Sequence, residues 1–269
     1  MIRLRALVVG LAVLALFGRP DAVAAQAAPP AAGRGAAGGT IRGHIALGGK
    51  VPGNAVIRMG LDPMCAKLNA GKLTVQEIVA ATADGSLGNV FVRLQGSFPK
   101  TPVPAGAVMI DQKGCIYTPR VVGVQIGQTL QVRNSDALLH NVHSLSAKDN
   151  SFNVGQPMAG MVNQFKLKTE EIMLRLRCDL HTWMTAYVAV VSNPYFAVSD
   201  KTGTFQIANV PPGTYTIQAW HERYGSLAQT VRVQAGAAAE VKFSYTGNEK
   251  PPTAAIHDLT IHETLIAGR

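Results

Sequence analysis

The strongest constraint on the fold is the way the chain is punctuated. Its 27 glycines and 15 prolines recur at short intervals, as in Gly48-Gly49, Gly127, Gly203 and Pro211-Pro212-Gly213, over a length of 269 residues. No long run carries the 3.6-residue period of an amphipathic helix. The stretches between breaks are short and alternate apolar with polar, the pattern of half-buried strands. Strands are expected near 41–47, 55–59, 89–94, 107–111, 114–118, 121–126, 130–134, 163–168, 172–178, 185–191, 204–207, 215–220, 227–233 and 240–245. The expected fold class is therefore all-β. One short helix is expected at 74–81, and Gly127-Gln128 reads as the turn of a tight hairpin.

The ends of the chain read differently. Arg3 and Arg5 precede an apolar run from Ala6 to Phe17, and Ala22-Val23-Ala24 offers a small-residue cleavage site. This is the layout of a secretory signal peptide over 1–24. The run is too short for a bilayer, which needs roughly 20 apolar residues, so no membrane span is expected after cleavage. Residues 25–39 read as a flexible linker and 247–269 as a tail whose Leu259-Thr260-Ile261 suits one more strand. The formal net charge of +9 falls to about +7 once residues 1–24 are removed. Export and the lack of any Lys/Arg cluster argue against a nucleic-acid partner, leaving an acidic protein or plain solubility as reasons for the basic balance.

The chemistry lies in two places. Ile172, Leu174, Leu176 and Cys178 alternate with Arg175 and Arg177, a period that turns Cys178 inward at the end of a strand. Three residues on stands His181 and three further Met184, with Trp183 between them. His140 lies at the end of an earlier strand, in Asn134-Ser135-Asp136-Ala137-Leu138-Leu139-His140-Asn141-Val142-His143. Two imidazoles, one thiolate and a weak thioether form the ligand set of a blue-copper electron-transfer site. His140, Cys178, His181 and Met184 are thus the expected metal ligands. Asn141 is expected to support them, its backbone N–H toward the thiolate and its side chain against the neighbouring loop; His143 is expected to be structural. Zinc suits the set less well because thioether is a poor zinc ligand. The seven histidines include no His-x-His pair for a multicopper cluster.

On these residues the stretch 129–191 resembles the cupredoxins, most closely the amicyanin type. The likeness rests on Asn134, His140-Asn141-Val142-His143 and the Cys178-x-x-His181-x-x-Met184 loop; it departs at Leu180 and Thr182, where the family often has prolines. The resemblance implies a Greek-key β-sandwich over 106–192 and one type 1 copper. It also implies a non-enzymatic role carrying single electrons to a periplasmic redox partner such as a c-type cytochrome. Residues 199–220 resemble the repeat motif of carboxypeptidase regulatory-like domains, implying a second small β-sandwich of prealbumin-like type over 195–246. Gly39 to Ile45 looks like the opening strand of such a module, and 40–98 is read as an N-terminal β segment. The rival readings are a metal-free module binding a glycan or protein, and a copper sequestration or delivery protein.

Three cysteines leave one thiol over after any pairing. Cys65 in Asp62-Pro63-Met64-Cys65 and Cys115 in Asp111-Gln112-Lys113-Gly114-Cys115 differ in context from Cys178, and Cys65–Cys115 is the pairing preferred among the three. The resemblance to exported cupredoxin-like proteins takes in both of these motifs.

Overall fold

A computed structural model describes residues 37–249. The expected signal peptide over 1–24, most of the expected linker and the tail beyond 249 lie outside the described residues. Sixteen strands in four sheets make two β-sandwiches.

The outer sandwich is built from both ends of the described chain. Its three-stranded sheet runs β13(Thr204–Val210), β1(Gly39–Leu47), β16(Ala238–Tyr245). Here β1 pairs antiparallel with β13 and parallel with β16. The facing sheet runs β12(Phe196–Val198), β2(Phe91–Gln95), β14(Gly213–His221), β15(Gly225–Val233). Alternate residues of the two sheets, among them Ile41, Ile45, Val92, Leu94, Ile207, Ile217 and Phe243, fill one buried core. Residues 40–98 are thus shared out: β1 and β2 lie in the outer sandwich, while the stretch between them reaches the other lobe.

The inner sandwich lies between β2 and β12, which are themselves paired, Phe91 opposite Val198 and Arg93 opposite Phe196. One sheet runs β5(Val121–Gln125), β11(Thr185–Val191), β10(Glu171–Arg177), β7(His140–Leu145), β8(Asn153–Gln156); the other runs β4(Tyr117–Thr118), β3(Val108–Gln112), β6(Thr129–Asn134), β9(Val162–Lys166). Its core includes Ile110, Val124, Leu130, Val132, Val142, Leu174, Leu176, Ala186 and Val188.

The sheet containing β5 and β11 is covered on both faces. Val121, Ala189 and Val191 point away from the inner core and pack with Phe91, Phe196 and Val198 of the outer sandwich. Burial on both faces is why β11 reads as the near-continuous apolar run Ala186-Tyr187-Val188-Ala189-Val190-Val191 rather than alternating. Gly123 of β5 lets the Phe196 ring sit directly on the backbone, since an added Cβ would lie 2.3 Å from that ring. Around this seam Arg120 forms a two-pronged ion pair with Glu222, Nη2 to Oε2 2.8 Å, with side chains only 14 % and 8 % exposed. Arg93 pairs with Glu170 at 3.1 Å.

Three local expectations are corrected. Gly127, at φ +83°, does not close a hairpin, because β5 and β6 belong to different sheets and the turn carries the chain across the sandwich. The helix is α1(Pro63–Leu68), not 74–81. Asp62 caps it by accepting the Cys65 N–H at 2.9 Å, and Pro63 starts it, whereas residues around 75 and 81 make isolated bridges to Val56 and Leu87. Finally, Ile172 does not share the face of Leu174 and Cys178. A bulge at Met173, φ +65°, shifts the register of β10, so Ile172 packs toward the outer sandwich.

Candidate metal centre

The loop leading to His140 is shaped by Asn134. Its side-chain oxygen accepts the Asp136 N–H at 2.9 Å and its amide donates to the carbonyls of Leu138 at 2.9 Å and Gln156 at 2.8 Å. The turn is thereby locked over five residues and delivers His140, fully buried, at the start of β7. The second arm begins where β10 ends. Cys178 N–H donates to the Met184 carbonyl at 3.3 Å and Met184 N–H to the His181 carbonyl at 2.8 Å, which folds the loop back on itself. Cys178, His181 and Met184 are all buried. Tyr117 ties the two arms together, its hydroxyl donating to the carbonyls of Asn141 at 2.9 Å and Arg177 at 3.3 Å.

His140, Cys178 and His181 converge. The two Nδ1 atoms are 3.0 Å apart and the His181 Nδ1 is 3.5 Å from the Cys178 Sγ. Each imidazole is held from behind by a carboxylate: His140 Nε2 donates to Asp136 Oδ2 and His181 Nε2 to Asp62 Oδ2, both at 3.0 Å. Met184 shares the buried apolar core of the inner sandwich with Cys178. Asn141 lies between the arms, its oxygen accepting the Asp179 N–H at 2.7 Å and its amide donating to Asp179 at 2.8 Å, while its backbone amide helps to lower the Cys178 thiol. His143 projects from the other face of β7 and meets Asp179 at 3.0 Å, apart from the trio. Trp183 covers His181 at 5.4 Å between rings and donates its indole N–H to the Cys115 carbonyl at 2.9 Å.

The electrostatics follow from this packing. Burial pushes the Cys178 thiol up, but hydrogen bonds from His140, His181 and two backbone amides bring it down to about 6. Burial pushes His140 down, but Asp136 and then the thiolate outweigh it and raise the imidazole above its ordinary value, to about 8. Asp136 resists its own burial through His140 and the Cys115 and Gly114 amides, and Asp62 is lowered by the Cys65 amide and then by His181, so both stay ionised.

Ionised carboxylates only accept, so both Nε2 atoms carry a hydrogen and both Nδ1 atoms face the interior of the trio. Two imidazole nitrogens and a thiolate, with a thioether in the same loop, fit copper.

The sequence reading missed Asp62, Asp136 and Tyr117. Asp136, four residues before His140, and the Asp62-Pro63 start of a helix were the available signals. The Cys65–Cys115 disulfide is formed, with Cα atoms 5.8 Å apart, and Cys178 is free.

Comparison with known proteins adds two likenesses. The carboxypeptidase regulatory-like domain matches residues 184–246, which run from β11 through the last strand of the outer sandwich. Among solved structures, a purple cupredoxin from Nitrosopumilus maritimus is 20 % identical over 31 % of this chain and 98 % of its own, with TM-score 0.27. A Cu(I) amicyanin mutant is 20 % identical over 37 % of this chain and 98 % of its own, and a reduced amicyanin mutant 22 % identical over the same shares, both with TM-score 0.29. No curated protein matches the chain in sequence.

Proposed function

We propose that the chain is an exported, non-enzymatic carrier of single electrons that holds one type 1 copper through His140, Cys178, His181 and Met184. The observation that carries this reading is the buried trio, in which two carboxylate-held imidazoles bring their Nδ1 atoms to 3.0 Å of one another and His181 Nδ1 to 3.5 Å of the Cys178 thiol, all three donors lying within 4.8 Å of one another. Bound copper would supply reversible one-electron Cu(II)/Cu(I) chemistry. The protein's part is to keep the donors still. Asn134 and Tyr117 fix the His140 arm, the Cys178–Met184 backbone bonds fix the loop, and the surrounding core excludes water. A c-type cytochrome with an acidic surface is the partner proposed, in keeping with the net charge of about +7 left once residues 1–24 are removed from the +9 of the full chain. The outer sandwich acts in this reading as a supporting module.

Reconstitution with Cu(II) tests it. One equivalent of copper with an intense thiolate-to-copper charge-transfer band is expected, with reversible voltammetry, and Cys178→Ser should abolish the band. A protein that takes up no copper would refute the proposal in favour of a metal-free glycan- or protein-binding module. Copper that binds but cannot be cycled would assign sequestration or delivery instead.

A further inference from the structure

The segment that carries α1 lies outside both sandwiches' sheets, yet it reaches the centre. Asp62 uses its two carboxylate oxygens for different tasks: Oδ1 accepts the Cys65 N–H at 2.9 Å and Oδ2 receives His181 Nε2 at 3.0 Å. Cys65 is bonded to Cys115. The Cys115 N–H in turn donates to Asp136 Oδ2 at 2.8 Å, beside a 2.7 Å bond from Gly114 N–H to Oδ1, and Asp136 holds His140. The disulfide thus joins the two residues whose backbone amides hold the two carboxylates behind the two histidines. Both of its cysteines are fully buried, and their sulfurs lie within 4.8 Å of a His181 ring nitrogen. Asn69 closes the same junction, donating to the Cys65 carbonyl at 2.9 Å and the Gly114 carbonyl at 3.0 Å.

We propose that Asp62 is the positioning residue of His181, and that the Cys65–Cys115 disulfide braces both histidines as one unit by holding Asp62 and Asp136 through its backbone amides. This inference rests on the metal-centre reading for its consequence and on the hydrogen-bond geometry for its cause. Without Asp62 the His181 ring loses the acceptor that fixes hydrogen on Nε2, so the ring is free to turn and to present the wrong nitrogen. Partners that hold a ligating histidine from behind change metal affinity by about 10–100-fold, and Asp62 belongs in that range.

The test uses the full mature protein and three variants: Asp62→Ser, Asp62→Asn and a Cys65→Ser/Cys115→Ser double variant. Serine still caps α1 but is too short to reach the imidazole, so it separates the cap from the histidine contact; asparagine keeps both length and an acceptor oxygen. Nitrogen-15 NMR of the metal-free protein reads the tautomer of His181, and Cu(II) titration against a competing chelator reads affinity. The expected result is Nε2–H in the wild type and a tautomer mixture in Asp62→Ser with about 10–100-fold weaker Cu(II) binding, partly rescued in Asp62→Asn. The double cysteine variant should disturb His140 and His181 together. Its loss should not add to that of Asp62→Ser, because residues in one network are coupled. A wild-type tautomer and affinity in Asp62→Ser would overturn the role of Asp62; losses that add fully would overturn the brace. Were the wild type to bind no copper, the metal-centre reading would fail while the tautomers still decided whether Asp62 orients His181.

Discussion

Removing the Glu222 carboxylate, as in Glu222→Ala, should reveal how firmly the two sandwiches are joined. Arg120 stands just before β5 and Glu222 just after β14, so their ion pair spans the seam between the lobes. With its partner gone, the Arg120 guanidinium, 14 % exposed, keeps a 3.5 Å contact with the Thr185 carbonyl as its remaining hydrogen bond. Breaking a buried pair by removing one partner costs about 3–5 kcal/mol. For a protein of this size each kcal/mol lowers the midpoint by roughly 2–4 °C, so a drop of about 6–20 °C is expected in calorimetry of the metal-free protein. A second variant sharpens the reasoning. Arg120→Met/Glu222→Leu removes both charges and fills the space with apolar atoms, and such replacements are often neutral or stabilising. It should therefore melt well above Glu222→Ala. A single variant within about 1 kcal/mol of wild type, or a double variant as weak as the single, would refute the view that the seam depends on satisfying a buried charge.

Two further outcomes follow from the fold and the site. The Cys178 thiol is lowered from 9.0 to about 6 in the folded, metal-free protein, so its contribution to stability is present above the unfolded value and is lost as pH falls through about 6. Thiolate absorbance should rise with a midpoint near 6, and urea unfolding should show Cys178→Ser losing the acid-side dependence; a midpoint near 9 would mean the trio does not stabilise the thiolate. Gly123→Ala should destabilise by about 1–3 kcal/mol through overpacking, because its methyl would sit 2.3 Å from the Phe196 ring; unchanged urea unfolding would show that the seam can yield.

The legible part of this protein is the part written in local pattern. Alternation placed Leu174, Leu176 and Cys178 on one face, and the spacing of Cys178, His181 and Met184 placed three side chains in one closed loop. Pattern failed where a single residue changed the geometry. The left-handed backbone at Met173 turned Ile172 to the other face, and Gly127 redirected a strand into the facing sheet. The helix at 63–68 was signalled only by Asp62-Pro63, because six residues are too few to display a period. Asp62 as a partner of His181, 119 residues away in sequence, left no local trace. Contacts of that kind join distant segments of the chain, and spacing along it carries no record of them.

The arrangement of β1 sets an order of events in time. That strand emerges first among the sixteen, but it lies between β13 and β16, so its neighbours are the thirteenth and the last to be made. The strands of the inner sandwich, from β3 through β11, are all complete before then. The sandwich with the donor trio can therefore close while β1 still waits with both hydrogen-bonding edges open, and distant pairings of this sort are slow to form. A chain cut short before Ala238–Tyr245 would retain every residue of the donor trio, yet leave β1 with an unpaired edge, the feature from which strand-to-strand aggregation begins.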